Sequence, residues 1–263
     1  MLSSLCEQRA GRKRRDSAAS LMTTDNSHRV AIVTGAGRGI GRACAIALAE
    51  AGFSVCLAAR TREQLEQTRN ATGLPPERSL IVLLDLAQAE APAALFETAL
   101  DLHGRIDVLV NNAGWAPART PLPKLREDDL DQILALNLRA PIALARLAAI
   151  QMAERGTGTI VNIASNAGRL TPPGEAVYAA AKAGLLAFTK AAFADLRHHG
   201  IKVAAIVPGL VDTGLIPDNQ RLNRGAMLRA EDVAAAVLQI VNAPAHACPV
   251  EISLEPQADP MKR

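Results

Sequence analysis

The sequence is poor in aromatic side chains, and this scarcity limits what the protein can bind. Its 263 residues include one tryptophan, Trp115, one tyrosine, Tyr178, and four phenylalanines. Six rings are too few to form both a base-stacking platform and a core, which disfavours binding of single-stranded nucleic acid. The core must instead consist of alanine, valine, leucine and isoleucine. Any chemistry that uses a tyrosine has a single residue available.

The sequence also lacks a cysteine or histidine pattern typical of a metal site. The four cysteines contain no C-x-x-C spacing: Cys6, Cys44, Cys56 and Cys248. The five histidines show no ligand spacing either, so we expect no bound metal. We expect the thiols to be reduced, which is typical of the cytoplasm.

Long apolar runs and a strong net charge are both missing. No run reaches 18 apolar residues, and Arg146 interrupts the longest helical candidate, 140–153, so we expect no membrane span. The net charge is +3, and residues 1–28 contribute +2 of it through five basic and three acidic residues. The nearly neutral remainder disfavours nucleic-acid and membrane partners.

Residues 1–28 are rich in serine and arginine and show no hydrophobic periodicity. We interpret them as a disordered N-terminal extension, because such a segment cannot bury enough apolar surface to fold. The basic run Arg12–Arg15 leaves a targeting or nucleic-acid patch as the alternative. No apolar stretch follows that run, as a secretory signal would require, and Met22 is an alternative start.

From residue 29 onward, short β-branched segments alternate with longer segments rich in alanine and leucine, which is typical of βαβ units. The predicted strands are 29–34, 54–59, 79–84, 105–111, 158–164, 201–207 and 249–254. The predicted helices are 39–52, 62–71, 89–102, 127–153, 175–198 and 230–242. The apolar strands indicate a parallel sheet buried on both faces. We predict one α/β domain over 29–256, with a doubly wound, parallel, seven-stranded sheet and helices on both faces, and a C-terminal tail over 257–263.

A glycine-rich turn lies between the first strand and the first helix. The sequence T-G-A-G-R-G-I-G spans Thr34–Gly41. Glycine allows a sharp turn and lets a pyrophosphate approach the backbone at the helix N-terminus. Such a loop alone is a weak signal, but its place in the first βα unit indicates a dinucleotide site. The residues expected to contact the dinucleotide here are Gly35, Gly39, Ile40 and Gly41.

The end of the second strand indicates which dinucleotide is bound. NAD-specific sites carry an acidic residue there, which holds the ribose 2′-hydroxyl. This sequence has Arg60 instead and no acidic residue before Glu63. Arg60, together with Arg38 in the glycine-rich turn, can bind a 2′-phosphate through charge-assisted hydrogen bonds. We therefore predict NADP(H) rather than NAD(H), with a solvated strand end as the alternative for Arg60.

Polar residues cluster at the predicted carboxyl edge of the sheet. Tyr178 and Lys182 are four residues apart, on one face of a helix. Ser165 ends the fifth strand, and Asn137 lies inside a helix, where asparagine is not favoured. The fourth and sixth strands end in Asn111–Gly114 and Pro208–Gly209. Each feature alone could be a cap, a loop or a turn, but together they indicate a catalytic site.

These motifs resemble those of the short-chain dehydrogenase/reductase superfamily, in its single-domain, NADP(H)-preferring branch. The matching segments are Thr34–Gly41, Asp85, Asn111–Gly114, Asn137, Ser165, Tyr178 with Lys182, and P-G-x-V-x-T at Pro208–Thr213. Their order and spacing match across residues 29–256. The pattern is most similar to carbonyl reductases and 3-oxoacyl-[acyl-carrier-protein] reductases.

The resemblance implies a Rossmann fold and hydride transfer between nicotinamide and a ketone or aldehyde, or a secondary alcohol. Tyr178 would be the general acid or base, with its pKa lowered by Lys182 and the oxidised nicotinamide. Lys182 would also hold the nicotinamide ribose, while Ser165 would bind the substrate oxygen and Asn137 a water. The resemblance implies that Asp85 and Leu86 contact adenine and that Asn112, Ala113 and Gly114 contact the adenosine ribose. It also implies that Val211 and Thr213 contact the pyrophosphate or the carboxamide, with Pro208 and Gly209 beside them.

The sequence departs from the superfamily pattern after the last strand, where Glu255–Gln257 replaces the glycine pair of many relatives. The short segment 214–229 implies a small or open substrate pocket. Candidates for its lining are Trp115, Asn166 and Leu170. Candidates for contact with a carrier protein or an acidic substrate are Arg126 and Arg169, with solvent exposure as the alternative.

The expected partners are a small carbonyl or alcohol substrate and further copies of the chain. Helices 127–153 and 175–198 form a four-helix contact in relatives, so we expect a homodimer or homotetramer. An NADP(H)-binding redox sensor or regulator without turnover is the alternative function. The complete set of Asn137, Ser165, Tyr178 and Lys182 argues against it, since a sensor needs no proton donor.

Overall fold

The computed structural model describes residues 28–214, residue 216 and residues 221–261. Nearly all of the predicted N-terminal extension lies outside these residues. The described strands are β1 Val30–Thr34, β2 Ser54–Ala59, β3 Ser79–Leu83, β4 Val108–Asn111, β5 Gly158–Ile163, β6 Ile201–Pro208 and β7 Glu251–Leu254. The described helices are α1 Gly39–Glu50, α2 Arg62–Thr72, α3 Ala91–His103, α4 Glu127–Leu134, α5 Ala140–Arg155, α6 Ala167–Leu170, α7 Ala176–Leu196 and α8 Ala230–Val241.

The seven strands form one parallel sheet in the order β3-β2-β1-β4-β5-β6-β7. This confirms the predicted doubly wound fold. The strand order reverses between β1 and β4, and ligands of such sheets bind beyond the carboxyl ends of the strands at that point. The glycine-rich turn after β1 and the Asn111–Gly114 segment of β4 and its following loop meet there.

Helices cover both faces of the sheet, and each face has its own apolar core. On one face, α1 and α8 pack on the strands through residues such as Leu48 and Val237. On the other face, α3 and α5 pack through residues such as Leu95 and Leu144. Burial on both faces holds for the inner strands, but it is wrong for β3 and β7, since these form the edges and Leu83 is 46% exposed.

The predicted long helix 127–153 contains a π-helical turn over Ala135–Arg139, between α4 and α5. Pro141 has no N–H to donate to the carbonyl four residues before it, so regular α-helical bonding stops at Asn137. The Asn137 side chain donates to the carbonyls of Ile133 (3.0 Å) and Trp115 (2.6 Å). Asn137 thus lies in a local irregularity and not in a regular helix as expected.

Two helical segments, Glu127–Arg155 and Ala176–His199, are long and apolar enough to cross a membrane by length and composition alone. The expectation of no membrane span rested on uninterrupted apolar runs, and Arg146 interrupts the first of these segments. Both segments contribute to the core under the sheet, through Leu144 and Met152 on α5 and Ala192 on α7. Core helices of this kind commonly meet the same criterion, so we do not interpret them as membrane spans.

A buried carboxylate joins three elements at the amino edge of the sheet. Asp107, just before β4, accepts hydrogen bonds from the backbone N–H of Val30 at 2.8 Å and from Arg105 at 2.7 and 2.9 Å. Arg155 at the end of α5 forms a further ion pair with it. Burial alone raises the pKa of Asp107, but these hydrogen bonds outweigh it and hold the pKa below 3.8.

Candidate active site

The glycine-rich turn is folded so tightly that two of its glycines cannot be replaced without movement. Gly35 has a φ of +65°, and a Cβ on it would lie 2.8 Å from the Asn112 side chain. A Cβ on Gly41 would lie 2.2 Å from the Gly35 carbonyl oxygen. The Asn112 amide donates to the carbonyls of Thr34 and Gly35 at 2.9 and 3.3 Å. The Asn112 side chain therefore ties the turn to β4.

A cleft of about 310 Å³ opens above this turn, in the size range of ligand sites. Eleven of the predicted cofactor residues line it: Gly35, Arg38, Gly39, Ile40, Arg60, Asp85, Leu86, Asn112, Ala113, Gly114 and Thr213. The N-terminus of α1 faces the turn without a side-chain cap on its first amides. Such uncapped amides attract anions such as a pyrophosphate. The residues present thus fit a dinucleotide.

Side chains of positive and of negative charge line the cleft. Arg38 and Arg60 both line it, and Arg60 lies 3.8 Å from Asp85 in an ion pair. Arg60 is 55% exposed in this pair, so its guanidinium can reach further hydrogen-bond acceptors. Gln64 on α2 also lines the cleft and packs against Gly37. The sequence reasoning missed Gln64, because a glutamine on an amphipathic surface helix carries no distinguishing signal.

Six predicted cofactor residues do not line this cleft, and two of them, Tyr178 and Lys182, belong to the catalytic group described below. Gly41 lies under the turn, where it allows the close packing described above. Val211 is 5% exposed and belongs to the core, where it pairs with Leu228. Pro208 and Gly209 end β6, and a Cβ on Gly209 would lie 2.3 Å from the Glu255 carboxylate. These positions shape the neighbouring turns, and their contact with the cofactor stays a prediction.

Tyr178 lies in the first turn of α7, beside Ser165 at the end of β5. Burial raises the pKa of Tyr178 to about 12, hydrogen bonding with Ser165 acts to lower it, and the charge of Glu175 acts to raise it. The lowered pKa expected from Lys182 and the oxidised nicotinamide refers to the cofactor-bound protein and stays a prediction. The protein groups alone raise the pKa, because Tyr178 is buried and Glu175 is negative.

Lys182 lies one helical turn further along α7 and is almost fully buried. Its Nζ donates to the Ile163 carbonyl at 2.9 Å and lies 5.7 Å from the centre of the Tyr178 ring. Burial lowers the pKa of Lys182 to about 8. An amine with such a pKa can exchange protons near neutral pH, which an ordinary lysine cannot.

Asn137 completes the group around Lys182. The π-helical turn leaves its Oδ1 buried without a hydrogen-bond partner among the described residues. A Cβ on Gly114 would lie 2.8 Å from this Oδ1 and 3.6 Å from Lys182 Nζ, so all three residues border one space. A buried unpaired acceptor next to an amine fits a water or a ligand hydroxyl.

A second, narrow pocket borders Tyr178. Its walls come from the loop after β4 and the segment before α7. They comprise Ala116, Pro117, Thr120, Leu122, Leu125, Ile133, Gly174, Glu175, Ala176, Val177 and Tyr178. The sequence reasoning did not find this lining. The P-L-P-K-L segment at 121–125 was the available signal, since apolar residues in a loop need a surface to pack on.

The expected lining residues have other roles in the structure. Trp115 packs on the core and its carbonyl accepts from Asn137. Asn166 contacts Glu255, with 3.4 Å between amide and carboxylate, and Leu170 is 71% exposed. Arg126 pairs with Asp128, and Arg169 pairs with Glu251.

The tail folds back on the segment before α8, where Leu222 pairs with Met261.

A comparison with known protein families agrees with the site formed by the glycine-rich turn, the cleft and Tyr178. Residues 29–222 match the family model for short chain dehydrogenase. The chain belongs to the short-chain dehydrogenase family. This family consists of oxidoreductases, and the match confirms the resemblance drawn from the motifs.

Relatives of this dehydrogenase cover nearly its whole length. An uncharacterised oxidoreductase of Staphylococcus aureus strain USA300 is 32% identical over 228 residues, which is 87% of this chain and 97% of the relative. A 3-oxoacyl-[acyl-carrier-protein] reductase of Synechocystis is 34% identical over 233 residues, which is 83% of this chain and 91% of the relative.

A solved structure resembles this dehydrogenase in fold as well as in sequence. It is the crystal structure of a metagenomic short-chain oxidoreductase in complex with NADP. The two superpose with a TM-score of 0.76 at 32% identity, over 88% of this chain and 98% of the other.

Proposed function

We propose that this dehydrogenase is an NADP(H)-dependent enzyme that interconverts a ketone or aldehyde and a secondary alcohol, with Tyr178 as the general acid and base. One observation carries the proposal. Tyr178 lies within hydrogen-bonding reach of Ser165, one helical turn from a lysine of lowered pKa, and it lines a narrow crevice of about 10 Å³ with mostly apolar walls. When bound, the nicotinamide gives or takes the hydride, and the chain must move the proton.

The protein groups can move that proton along one path. Tyr178, with a pKa raised to about 12, is protonated at neutral pH and can donate to a carbonyl oxygen that Ser165 orients. Lys182 then has the pKa to restore the phenol proton, and the unpaired Oδ1 of Asn137 can hold the water through which it is replenished. In alcohol oxidation the path runs in reverse, and the positive charge of oxidised nicotinamide would act to lower the pKa of Tyr178.

The preference for NADP(H) rests on the two arginines of the cleft. Arg38 and Arg60 come from neighbouring elements and can contact one phosphate, at about 1.5–3 kcal/mol for each charged hydrogen bond. The Asp85 carboxylate beside Arg60 acts against a phosphate, but it is already paired with that arginine. The NADP complex of the similar metagenomic oxidoreductase supports this choice.

We also propose a substrate class, a cellular compartment and an oligomeric state. The apolar walls beside Tyr178 favour a substrate with an aliphatic group next to its carbonyl, as in the carbonyl reductases and 3-oxoacyl reductases that the sequence resembles. We expect a single catalytic domain over 29–256 that acts in the cytoplasm as a homodimer or homotetramer. We expect it to bind neither nucleic acid nor membranes.

The decisive experiment compares wild-type protein with Tyr178→Phe. We expect NADPH to quench Trp115 fluorescence at lower concentration than NADH, equally in both proteins, because Tyr178 is not a ligand of the phosphates. Turnover of a carbonyl panel with NADPH should fall by about a thousandfold in the variant, since the proton donor is gone. Tighter binding of NADH would refute the assignment of Arg38 and Arg60. Tight NADPH binding by a wild type that turns over none of the panel would favour the sensor.

A further inference from the structure

Two loops that border Tyr178 are joined to each other by a pair of contacts. One is the loop after β4, residues 112–126, and the other is the segment 171–175 before α7. The backbone N–H of Thr120 donates to the Gly174 carbonyl at 2.9 Å. Beside it, the Nε of Arg119 donates to the Glu175 carboxylate at 2.8 Å.

The backbones approach closely at this junction because of Gly174. Its φ is +80°, and a Cβ on it would lie 3.1 Å from the Arg119 side chain. A glycine is therefore required both for the conformation and for the contact. The ion pair and the backbone bond together fix the walls of the apolar pocket, which includes Thr120, Gly174 and Tyr178.

Glu175 is also part of the helix that carries the tyrosine. It is the N-cap residue of α7, three positions before Tyr178, and its carbonyl accepts from the N–H of Ala179 at 2.7 Å. The Glu175 side chain is 21% exposed and the Arg119 side chain 70% exposed. Because pairs this open contribute little to stability, changes to either residue should leave the protein folded.

The pair sets the charge on one side of the tyrosine. In the described part of the chain, the charged groups facing Tyr178 are Lys182 from α7 and Glu175 from the segment before it, while Ser165 faces it after β5. The negative charge of Glu175 raises the pKa of Tyr178, and Arg119 partly neutralises that charge. Motion of the first loop therefore changes the field at the hydroxyl.

We propose that Arg119 and Glu175 are a positioning pair, which fixes the pocket loop to the start of α7 and controls the orientation and electrostatic surroundings of the Tyr178 hydroxyl. The inference rests on the proposed role of Tyr178 as proton donor. It predicts that the two partners have opposite effects on the tyrosine, although both changes remove the same ion pair.

The test uses the fact that Tyr178 is the single tyrosine of the chain. Full-length protein labelled with ¹³C at tyrosine Cζ is titrated by NMR, with and without saturating NADP⁺, so that the signal reports Tyr178 alone. Glu175→Gln should lower the titration midpoint by about 0.5–1 pH unit, because a facing negative charge is removed. Arg119→Gln should raise it by about 0.3 pH unit, because Glu175 loses its counter-charge.

Two further variants serve as controls. Arg119→Lys has lost its charge at a midpoint near 12, because an ordinary lysine titrates near 10.4, and should therefore behave like Arg119→Gln in the ligand-free protein. Arg126→Gln removes the Arg126–Asp128 pair at the start of α4, whose side chains are 72% and 85% exposed, and should leave the midpoint unchanged. The pH dependence of kcat for alcohol oxidation should shift in the same directions as the NMR midpoints.

The proposal is refuted if the Glu175 and Arg119 variants shift the midpoint in the same direction, or if Arg126→Gln shifts it as far as they do. Failure of the proposed function would look different. A wild type that binds no nicotinamide nucleotide or reduces no carbonyl would refute the enzymatic proposal, while the titration of the ligand-free chain would still test the positioning pair.

Discussion

At the scale of single residues, the site contains ionisable groups that are buried, and burial disfavours their charged forms. Lys182 is the clearest case, since it is almost fully buried and its pKa is lowered to about 8 from an ordinary value of 10.5. Below pH 8 the amine is protonated in both the folded and the unfolded chain, so the fold bears the full cost of the buried charge. Above pH 10.5 it is neutral in both states and this cost is absent.

Replacing Lys182 by methionine should therefore stabilise the protein while it abolishes turnover. The lowered pKa corresponds to about 3 kcal/mol at pH 7, and losing the hydrogen bond to the Ile163 carbonyl costs about 1 kcal/mol, which leaves about 2 kcal/mol. Urea unfolding at pH 7 and pH 10 measures the gain, which should shrink at the higher pH as the wild type becomes more stable. Lys190→Met, on an exposed part of the same helix, is the control and should change little. A less stable Lys182→Met variant at pH 7 would contradict this account.

The residue types of the site could be predicted from the sequence, but their electrostatics could not. The spacing of Tyr178 and Lys182 placed both on one helix face, and the structure places them there. The contributions of burial and of Glu175 to the pKa of Tyr178 were not foreseen, because no motif singles them out. Gln64 and the apolar pocket lining were missed for the same reason.

At the scale of secondary-structure elements, strand and helix positions were predictable wherever apolar runs and glycines mark their ends. β2 matches the prediction at both ends. The π-helical turn at Ala135–Arg139 was not foreseen, because it arises from the position of Pro141 relative to Asn137 and not from composition. The packing of β1, β4 and α5 around Asp107 depends on long-range contacts that periodicity does not report.

Asp107→Asn should destabilise the fold by about 2–4 kcal/mol at pH 7, because it leaves Arg105 and Arg155 without their buried counter-charge. The pKa of Asp107 is lowered in the fold, so its stabilisation is complete above its ordinary pKa of 3.8 and is lost as the pH falls through the lowered value. Thermal unfolding should show the largest difference from wild type near pH 7, and the difference should narrow as the pH falls below 3.8. Asp128→Asn, in an exposed pair, should unfold like wild type, and a similar loss there would count against the role of Asp107.

At the scale of the whole molecule, α5 presents an apolar side chain away from the face that packs on the sheet. Ile150 on α5 is 52% exposed, although the opposite face of that helix, with Leu144 and Met152, is fully buried. This side chain would be covered if α5 lies in the interface of the proposed homodimer or homotetramer.

Light scattering after gel filtration should give a mass about two or four times the 27.7 kDa of the chain. Ile150→Glu should shift the mass toward that of the monomer, because it places a charge in the interface. Leu83→Glu, at the exposed end of β3, is the matched control and should keep the assembled mass. A wild type that elutes as a monomer would refute the assembly.

The stabilising contacts of Asp107 and the candidate active site lie at opposite edges of the sheet. Asp107 and its arginines fasten β1, β4 and α5 at the amino edge, whereas the cleft, the pocket and Tyr178 lie at the carboxyl edge. Substitutions in the pocket loops therefore do not alter the contacts of Asp107. A lineage of this fold can exchange those loops and acquire new substrates without losing the ability to fold. The same separation makes the chain a suitable host for loops transplanted from its relatives.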